Sequence, residues 1–507
     1  MRWGNNRQGT GADGAGGGLS VVFCGGMARV ERTGEVQCVG VTAAPEGRRG
    51  AIAKELEGAD LGDHRREARL LRIAEAVAAH PERSLPGVFE NDDAALEAAY
   101  RFFNNVAVTP AALLQPHVRA TVERCGSLAT VLAVHDTTVF GYRAGGKRHG
   151  LGSHGPAQQF FAHATLAVSA DEAHVPLGIL AQRTYVRRGD GGDGTESERW
   201  LDQANAVEQL GIEASRIVHV EDREGDNYVA LSAHVVAGQR FVIRADDDRT
   251  LVPTEIDSSH SLREALERTV CQAMREVALA PRGKHGPGNE RGRRHPPRCA
   301  RLANLHVGAA RVTLRRPSTY ASPTPKGCPL HVVHVWEPSP PVGEAPVRWI
   351  LLTTEPIDTP EQLLAIVDIY RARWRIEELF KALKTGCAFE QKQLESYEGL
   401  VNALAVYLPI AWRLLHLRAL SRDDSEAPAT GLLDADEWDV LRACAKRSLP
   451  REPTHRQLLL AIAALGGHLS HNGDPGWQTL GRGMERLLAR VEGFRLHRKI
   501  CSDRDQS

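Results

Sequence analysis

Between residues 131 and 244 short apolar runs alternate with a helical stretch, and that alternation limits this part of the chain to a mixed α/β sheet. Val131 to Val134 is a four-residue apolar run that leads into His135-Asp136. Phe161 to Ser169 and Val175 to Val186 are strand-like runs joined by the polar turn Ala170-Asp171-Glu172, the pattern of a hairpin. Glu196 to Leu210 has helical periodicity, Gly211 breaks it, and Ile217 to Val220 forms another short run leading into Glu221-Asp222. Arg240 to Arg244 is one more strand. Asp136 and Asp222 therefore each fall one residue beyond a run where a buried strand should end. In open α/β sheets ligands collect at such strand ends.

The flanks read differently. Residues 1 to about 50 carry seven glycines before residue 19 and almost no periodicity, and read as a disordered or mis-called extension, with Met27 an alternative start. Leu61-Gly62-Asp63 then precedes a helix with Leu70, Leu71, Ile73, Ala74 and Val77 apolar and Arg65, Arg66, Arg69 and Arg72 interleaved. Further helices are expected at Asp93 to Phe103 and Pro110 to Arg124. The arginines make either a solvated charged face or a nucleic-acid arm, and both readings stand. Residues 246 to 356 interrupt the α/β pattern with a basic Pro/Gly segment, Pro281 to Arg298, and strand-like runs at Arg311 to Leu314, His331 to Trp336 and Val347 to Thr353. From Thr359 onward the chain is mostly helical.

Composition removes several classes. Lys+Arg and Asp+Glu both number 63, so a uniformly basic nucleic-acid binder is excluded while local basic faces are not. The most apolar stretch, Asn402 to Leu415, contains Pro409 and Arg413 and falls short of the roughly 18 apolar residues of a membrane span. Nine cysteines with no C-x-x-C pair argue against a disulfide framework or a thiolate zinc site, and the expected compartment is the cytoplasm, beside the nucleoid. The histidine pairs His331/His334 and His149/His154 form no zinc signature. The Gly-x-Gly patterns near residues 9–18 follow no strand, so they are not a nucleotide cradle.

The segment Asp368 to Lys384 contains no Gly or Pro and projects as one helix. At about 100° per residue from Tyr370, Arg373 falls near about 300°, Lys384 near about 320° and Glu377 near about 340°, so the four share a stripe. Ala372, Ile376, Leu379 and Leu383 cluster on a separate core face. A carboxylate between two cations and a phenol suits a phosphate held beside a metal; an amphipathic helix with intrahelical ion pairs would look similar. Two strand-end carboxylates and one helical carboxylate, Asp136, Asp222 and Glu377, make a hard oxygen cage. Such a cage suits Mg²⁺ or Mn²⁺, with two ions able to activate a nucleophile and stabilise a leaving oxygen.

These residues carry a family resemblance. His135-Asp136-Thr137-Thr138 resembles the first Asp motif of bacterial DDE transposases, and Asp222-Arg223-Glu224-Gly225-Asp226 the second. Tyr370, Arg373, Glu377 and Lys384 reproduce the Y-x2-R-x3-E-x6-K spacing of the cut-and-paste insertion-sequence-four family. The resemblance extends to Leu61-Gly62-Asp63 with Arg65 and Arg66, Tyr100-Arg101-Phe102, Arg348 to Thr353, Gly466-Gly467-His468 and Asp474-Pro475-Gly476-Trp477, spanning roughly residues 52 to 500.

The resemblance implies an α/β, RNase-H-like mixed-sheet core at 126–245 and 357–419, split by a β-rich insertion at 246–356. It also implies a helical DNA-binding domain at 51–125 and a helical dimerisation region at 420–507. By that resemblance Asp136, Asp222 and Glu377 are the catalytic metal ligands, and Tyr370, Arg373 and Lys384 hold the phosphate near the cleaved end. Trp349 either stacks on a flipped base or is a core residue of its strand; Arg244 is either a DNA contact or a strand-end surface cation. The implied partners are double-stranded DNA with terminal inverted repeats, target DNA and a second copy of the chain. The rival is a protein that binds transposon ends without cutting them. A general RNase-H-like nuclease has no need of the long helical tail.

Overall fold

The computed structural model describes residues 21–24, 27–32, 35–37 and 50–505, apart from 143–147, 155–156, 188–195, 247, 254–257, 280, 282–296, 321–323, 424 and 470. Two units result, Met1–Arg49 and Gly50–Ser507. In the first, β1 (Val21–Cys24), β2 (Met27–Arg32) and β3 (Glu35–Gln37) form a small antiparallel sheet. Most of the tract read as disordered lies outside the described residues, as does nearly all of the basic segment between Pro281 and Arg298.

The second unit opens with helices α1 (Ala51–Leu56), α2 (His64–Ala79), α3 (Leu85–Val88), α4 (Asp93–Phe103) and α5 (Pro110–Cys125). Their starts are written in the sequence. Asp63, Ser84, Asp92 and Thr109 each stand at an N-cap and accept a backbone N–H of the first turn, an arrangement worth about 1 kcal/mol per helix. Leu70, Leu71, Ile73, Ala74 and Val77 of α2 are all buried, as the periodicity requires.

The ten-stranded sheet comprises β4 (Val131–Tyr142), β5 (Gly152–His154), β6 (Ala157–Ser169), β7 (Pro176–Tyr185), β8 (Ile217–Glu221), β9 (Arg240–Arg244), β10 (Ala273–Leu279), β11 (Arg301–Arg315), β12 (Gly327–Trp336) and β13 (Arg348–Thr353). Five strands in the order β7-β6-β4-β8-β9 make the RNase-H-like core, β7, β6 and β4 antiparallel and β4, β8 and β9 parallel. Helix α6 (Glu196–Glu208) connects β7 to β8, and α7 (Tyr228–Val236) connects β8 to β9, as parallel pairing demands. The insertion is not a separate sheet. After α8 (Leu262–Glu267), strands β10 to β13 form an antiparallel meander whose last strand pairs with β9, so they extend the core sheet at its far edge.

Two expectations about local structure need correction. Asp136 does not follow a strand end: β4 runs on to Tyr142 because β6 pairs with its whole length, while its parallel pairing with β8 stops at Val134. What ends before Asp136 is the parallel ladder, not the strand. Likewise residues 368–384 are not one regular helix. They form α9 (Pro360–Ala372), α10 (Trp374–Lys381) and a π-turn at Ala382–Gly386. At Arg373 the ladder tightens to i→i−3 bonds, with Arg373 N–H donating to Tyr370 O and Ile376 N–H to Arg373 O, both at 3.2 Å. At the other end it loosens, and Cys387 N–H donates to Ala382 O at 2.8 Å.

Helix α11 (Tyr397–Asp423) then passes through the interior, followed by α12 (Ala435–Cys444), α13 (His455–Leu465) and α14 (Trp477–Asp505). Pro409 lies within α11 without ending it. Among the described residues α11 alone is long and apolar enough to cross a membrane, yet 94% of its apolar window is buried inside the fold. Its hydrophobicity serves a core in which each fully buried leucine contributes about 1.5–3 kcal/mol.

Candidate active site

The pairing register lines up the acidic residues. Val134 stands beside Val220, and Val220 beside Val242, across the parallel strands β4, β8 and β9. Asp136 stands two residues beyond Val134 on β4, Arg244 two beyond Val242 at the end of β9, and Asp222 directly follows the last residue of β8 as the N-cap of the turn that leaves it. Strand alternation puts Asp136 and Arg244 on the face that carries Leu132, Val134, Val218, Val220 and Val242, the face packed into the main core, and the charge of Asp222 acts on Asp136 from the end of β8. Trp349, two residues before Leu351, which pairs with Arg244, shares that face. The candidates thus come to one side of one sheet from positions more than 200 residues apart.

The helical layer above supplies the rest. At the α9–α10 junction the Arg373 guanidinium bridges two carboxylates, with Nη1 donating to Asp136 Oδ2 at 3.0 Å and Nη2 to Glu377 Oε1 at 2.5 Å. Arg375 pins α10 to the β6–β7 turn through the carbonyls of Ala173 and His174, at 2.9 and 3.0 Å. Adjacent glutamates divide the work. Glu378 is buried and paired with Arg375 and Arg422, whereas the Glu377 side chain is 31% exposed and faces Asp136 through Arg373. Tyr370 is buried and meets Trp349 edge to face at 5.5 Å. Lys384, in the π-turn, places its Nζ 5.4 Å from the Phe140 ring centre, four residues or about 13 Å along β4 from Asp136. Arg244 is half-buried and donates to Arg348 O at 3.4 Å.

The electrostatics mark this as a site with surplus negative charge. Burial pushes the Asp136 carboxyl up, and the charges of Asp222 and Glu377 add to it. The Arg373 cation and the Thr137 N–H pull the other way, and the outcome is about 7. Burial also works against the charge of Arg373, but Tyr370, Asp136 and Glu377 more than compensate and its pKa is raised. Among the described residues no three Asp, Glu, His or Cys side chains are drawn tightly enough together to make a closed metal cage. The guanidinium of Arg373 lies between two of the three carboxylates instead. The donors nevertheless suit a hard divalent cation, being carboxylate oxygens, and repulsion from Asp222 and Glu377 adds to the burial that raises Asp136.

Some neighbours were not singled out by the sequence. Glu221 is fully buried, among the described residues neither oxygen has a hydrogen-bond partner, with His234 Nε2 3.8 Å from Oε1, and burial followed by the Asp222 charge pushes it to about 8. A Cβ added at Gly225 would come within 2.1 Å of Glu221 Oε2, so only glycine fits the turn after Asp222. His135 and His219 are buried in otherwise apolar runs; a histidine inside an apolar strand is the signal that could have found them. Asp226, by contrast, is a structural acid held by Arg249 at 2.5 Å.

Two family models match parts of the chain. Residues 48–108, which include α1, α2, α3 and α4, match the family model described as Transposase DNA-binding. Residues 227–410 match the one described as Transposase DDE domain. The second interval contains Arg244, Trp349, Tyr370, Arg373, Glu377 and Lys384, while Asp136 and Asp222 join them from β4 and the end of β8. The chain therefore carries a DDE-family transposase domain behind an N-terminal transposase DNA-binding domain.

Proposed function

We propose that this chain is a transposase of the insertion-sequence-four family, cutting DNA at the inverted repeats of its own element and joining the ends to a target, as a dimer on DNA in the cytoplasm. The observation that carries the reading is the Arg373 bridge between Asp136 and Glu377, on the sheet face where Asp222 also raises Asp136. Asp136, Asp222 and Glu377 would hold Mg²⁺ or Mn²⁺. Bound there, such ions supply a nucleophile at neutral pH and stabilise the leaving oxygen of a phosphodiester.

The chain's own groups do the remaining work. Arg373 orients two carboxylates with one planar fork and keeps them apart until a stronger cation competes. Asp136, raised by burial to about 7 even with the Arg373 cation beside it, is divided between its neutral and charged forms at neutral pH. Lys384 and Arg244 offer point charges to phosphates on either side of the carboxylates. Trp349, with Tyr370 behind it, presents a half-buried ring on which a base can stack.

A strand-cleavage assay with Mg²⁺, on DNA bearing the inverted repeats that flank the chain's own locus, tests this reading. Wild type is expected to cut, and Glu377→Gln to bind the same ends but lose cleavage by 10³-fold or so. Full cleavage by the variant rejects Glu377 as a ligand. End binding by wild type without any cleavage favours the rival, a non-cutting end-binding protein. Lys384→Ala should weaken end binding about fivefold, on the order of 1 kcal/mol, with Mn²⁺ affinity intact; unchanged end affinity rejects its phosphate role.

A further inference from the structure

On the opposite face of the sheet, beneath the carboxylates, buried polar side chains form a continuous hydrogen-bonded chain. Gln203 Nε2 donates to Thr165 Oγ1 at 3.0 Å, and Thr165 Oγ1 meets His135 Nδ1 at 2.9 Å. His135 Nε2 meets His219 Nδ1 at 2.9 Å, and His219 Nε2 meets Glu208 Oε1 at 2.9 Å. Thr165, His135 and His219 are all 0% exposed. With one proton on each ring, the carboxylate at the far end fixes the direction: Thr165 donates to His135, His135 to His219, and His219 to Glu208. Both nitrogens of both rings are satisfied, the condition under which a buried polar chain rigidifies a core rather than weakening it.

Its position gives it a use. Backbone pairing between β4 and β8 ends at Val134 beside Val220. His135 is the next residue on β4, and its ring reaches diagonally to His219, so a side-chain bond takes over where the backbone ladder stops. Asp136 projects from the other face immediately afterwards, and Asp222 follows the end of β8. Strand β6 and helix α6 anchor the two ends of the chain through Thr165 and Glu208, so β4 and β8 cannot drift apart without breaking a buried hydrogen bond.

We infer that His135 and His219, tied to Thr165 and Glu208, are positioning residues that set the spacing of Asp136 and Asp222 for the divalent cations. This rests on the reading of those carboxylates as metal ligands. The two histidines are fully buried on the face away from Asp136, so their role is an indirect one.

The test is Mn²⁺ titration of the full-length chain by calorimetry, without DNA. Wild type must bind Mn²⁺ and Asp136→Asn must lose it; failure of that pair overturns the carboxylate reading itself. With that pair in place, Thr165→Val and His219→Phe are expected to weaken Mn²⁺ binding about tenfold, the lower end for groups that orient metal ligands. Metal-free binding to DNA ends should stay within twofold, a readout that general unfolding would not spare. Glu208→Gln, which keeps an acceptor for His219, should preserve Mn²⁺ affinity. Unchanged Mn²⁺ affinity in folded Thr165→Val overturns the inference, whether or not His219→Phe folds.

Discussion

Asp136 sits where the fold asks most of a carboxylate: largely buried, beside two other acids, with one guanidinium in attendance. Its ordinary value of 3.8 is raised to about 7, so folding favours the neutral acid. That contribution to stability is whole below about pH 4, declines as the pH rises, and is gone above about pH 7. Asp136→Asn keeps a neutral group at every pH. In metal-free protein its advantage in thermal unfolding over wild type should grow from pH 5 to pH 8, reaching a few kcal/mol at most, and then level off. Saturating Mn²⁺ should reverse the order, because only wild type retains the ligand. A Tm difference that does not change with pH would mean Asp136 is ionised throughout and solvated better than its burial suggests. The apolar run before His135-Asp136 marked where the parallel ladder stops, though not where β4 ends; the charge state was hidden, since it depends on burial and on Arg373, Asp222 and Glu377, the last 241 residues away.

At the scale of elements, the turn leaving β8 carries the tightest steric demand near the site. Gly225 lies under the Glu221 side chain, and a methyl there would fall 2.1 Å from Oε2 and 2.8 Å from Cβ of Glu221. Overpacking of this kind costs about 1–3 kcal/mol. Because Asp222 caps the same turn through the Glu224 N–H at 2.8 Å, the displacement passes directly to the carboxylate. Gly225→Ala should therefore lower stability to urea by about 1–3 kcal/mol and reduce cleavage by a larger factor than end binding. Equal losses in both would place the damage outside the site. The helical layer shows the limit of reading by periodicity. Ala372, Ile376, Leu379 and Leu383 are all buried, as their spacing requires. A uniform wheel nevertheless misses the tightened turn at Arg373 and the π-turn at 382–386, because both arise from packing against the sheet and α11. Strand lengths were hidden for a related reason. β11 runs from Arg301 to Arg315, yet only Arg311 to Leu314 stands out in sequence, since an outer antiparallel strand keeps polar residues on its wet face.

For the whole molecule, the balance of 63 cations against 63 acids leaves no bulk positive field, so a grip on DNA has to come from local faces. The N-terminal helices, which match the Transposase DNA-binding model, carry one candidate. Arg69 and Arg72 of α2 line a cavity of about 230 Å³ with Ile73, Phe89 and the first turn of α4, while Arg65 is turned toward its own N-cap, Asp63, at 3.0 Å. If Arg69 and Arg72 meet phosphates, end binding should fall steeply with salt, and their joint replacement by alanine should reduce the log–log slope by about 1.8, roughly 0.9 for each contact. The residues before Gly50 form a unit of their own, and the match to the DNA-binding family begins at residue 48. A chain starting at Gly50 should therefore keep the stability, the end affinity and the salt slope of the full chain. Fluorescence anisotropy on labelled ends across 50–200 mM salt or so decides the matter. A shallower slope for the shortened chain would move phosphate contacts into the first 49 residues, where Arg48 and Arg49 lie, and would make that tract part of the DNA-binding apparatus.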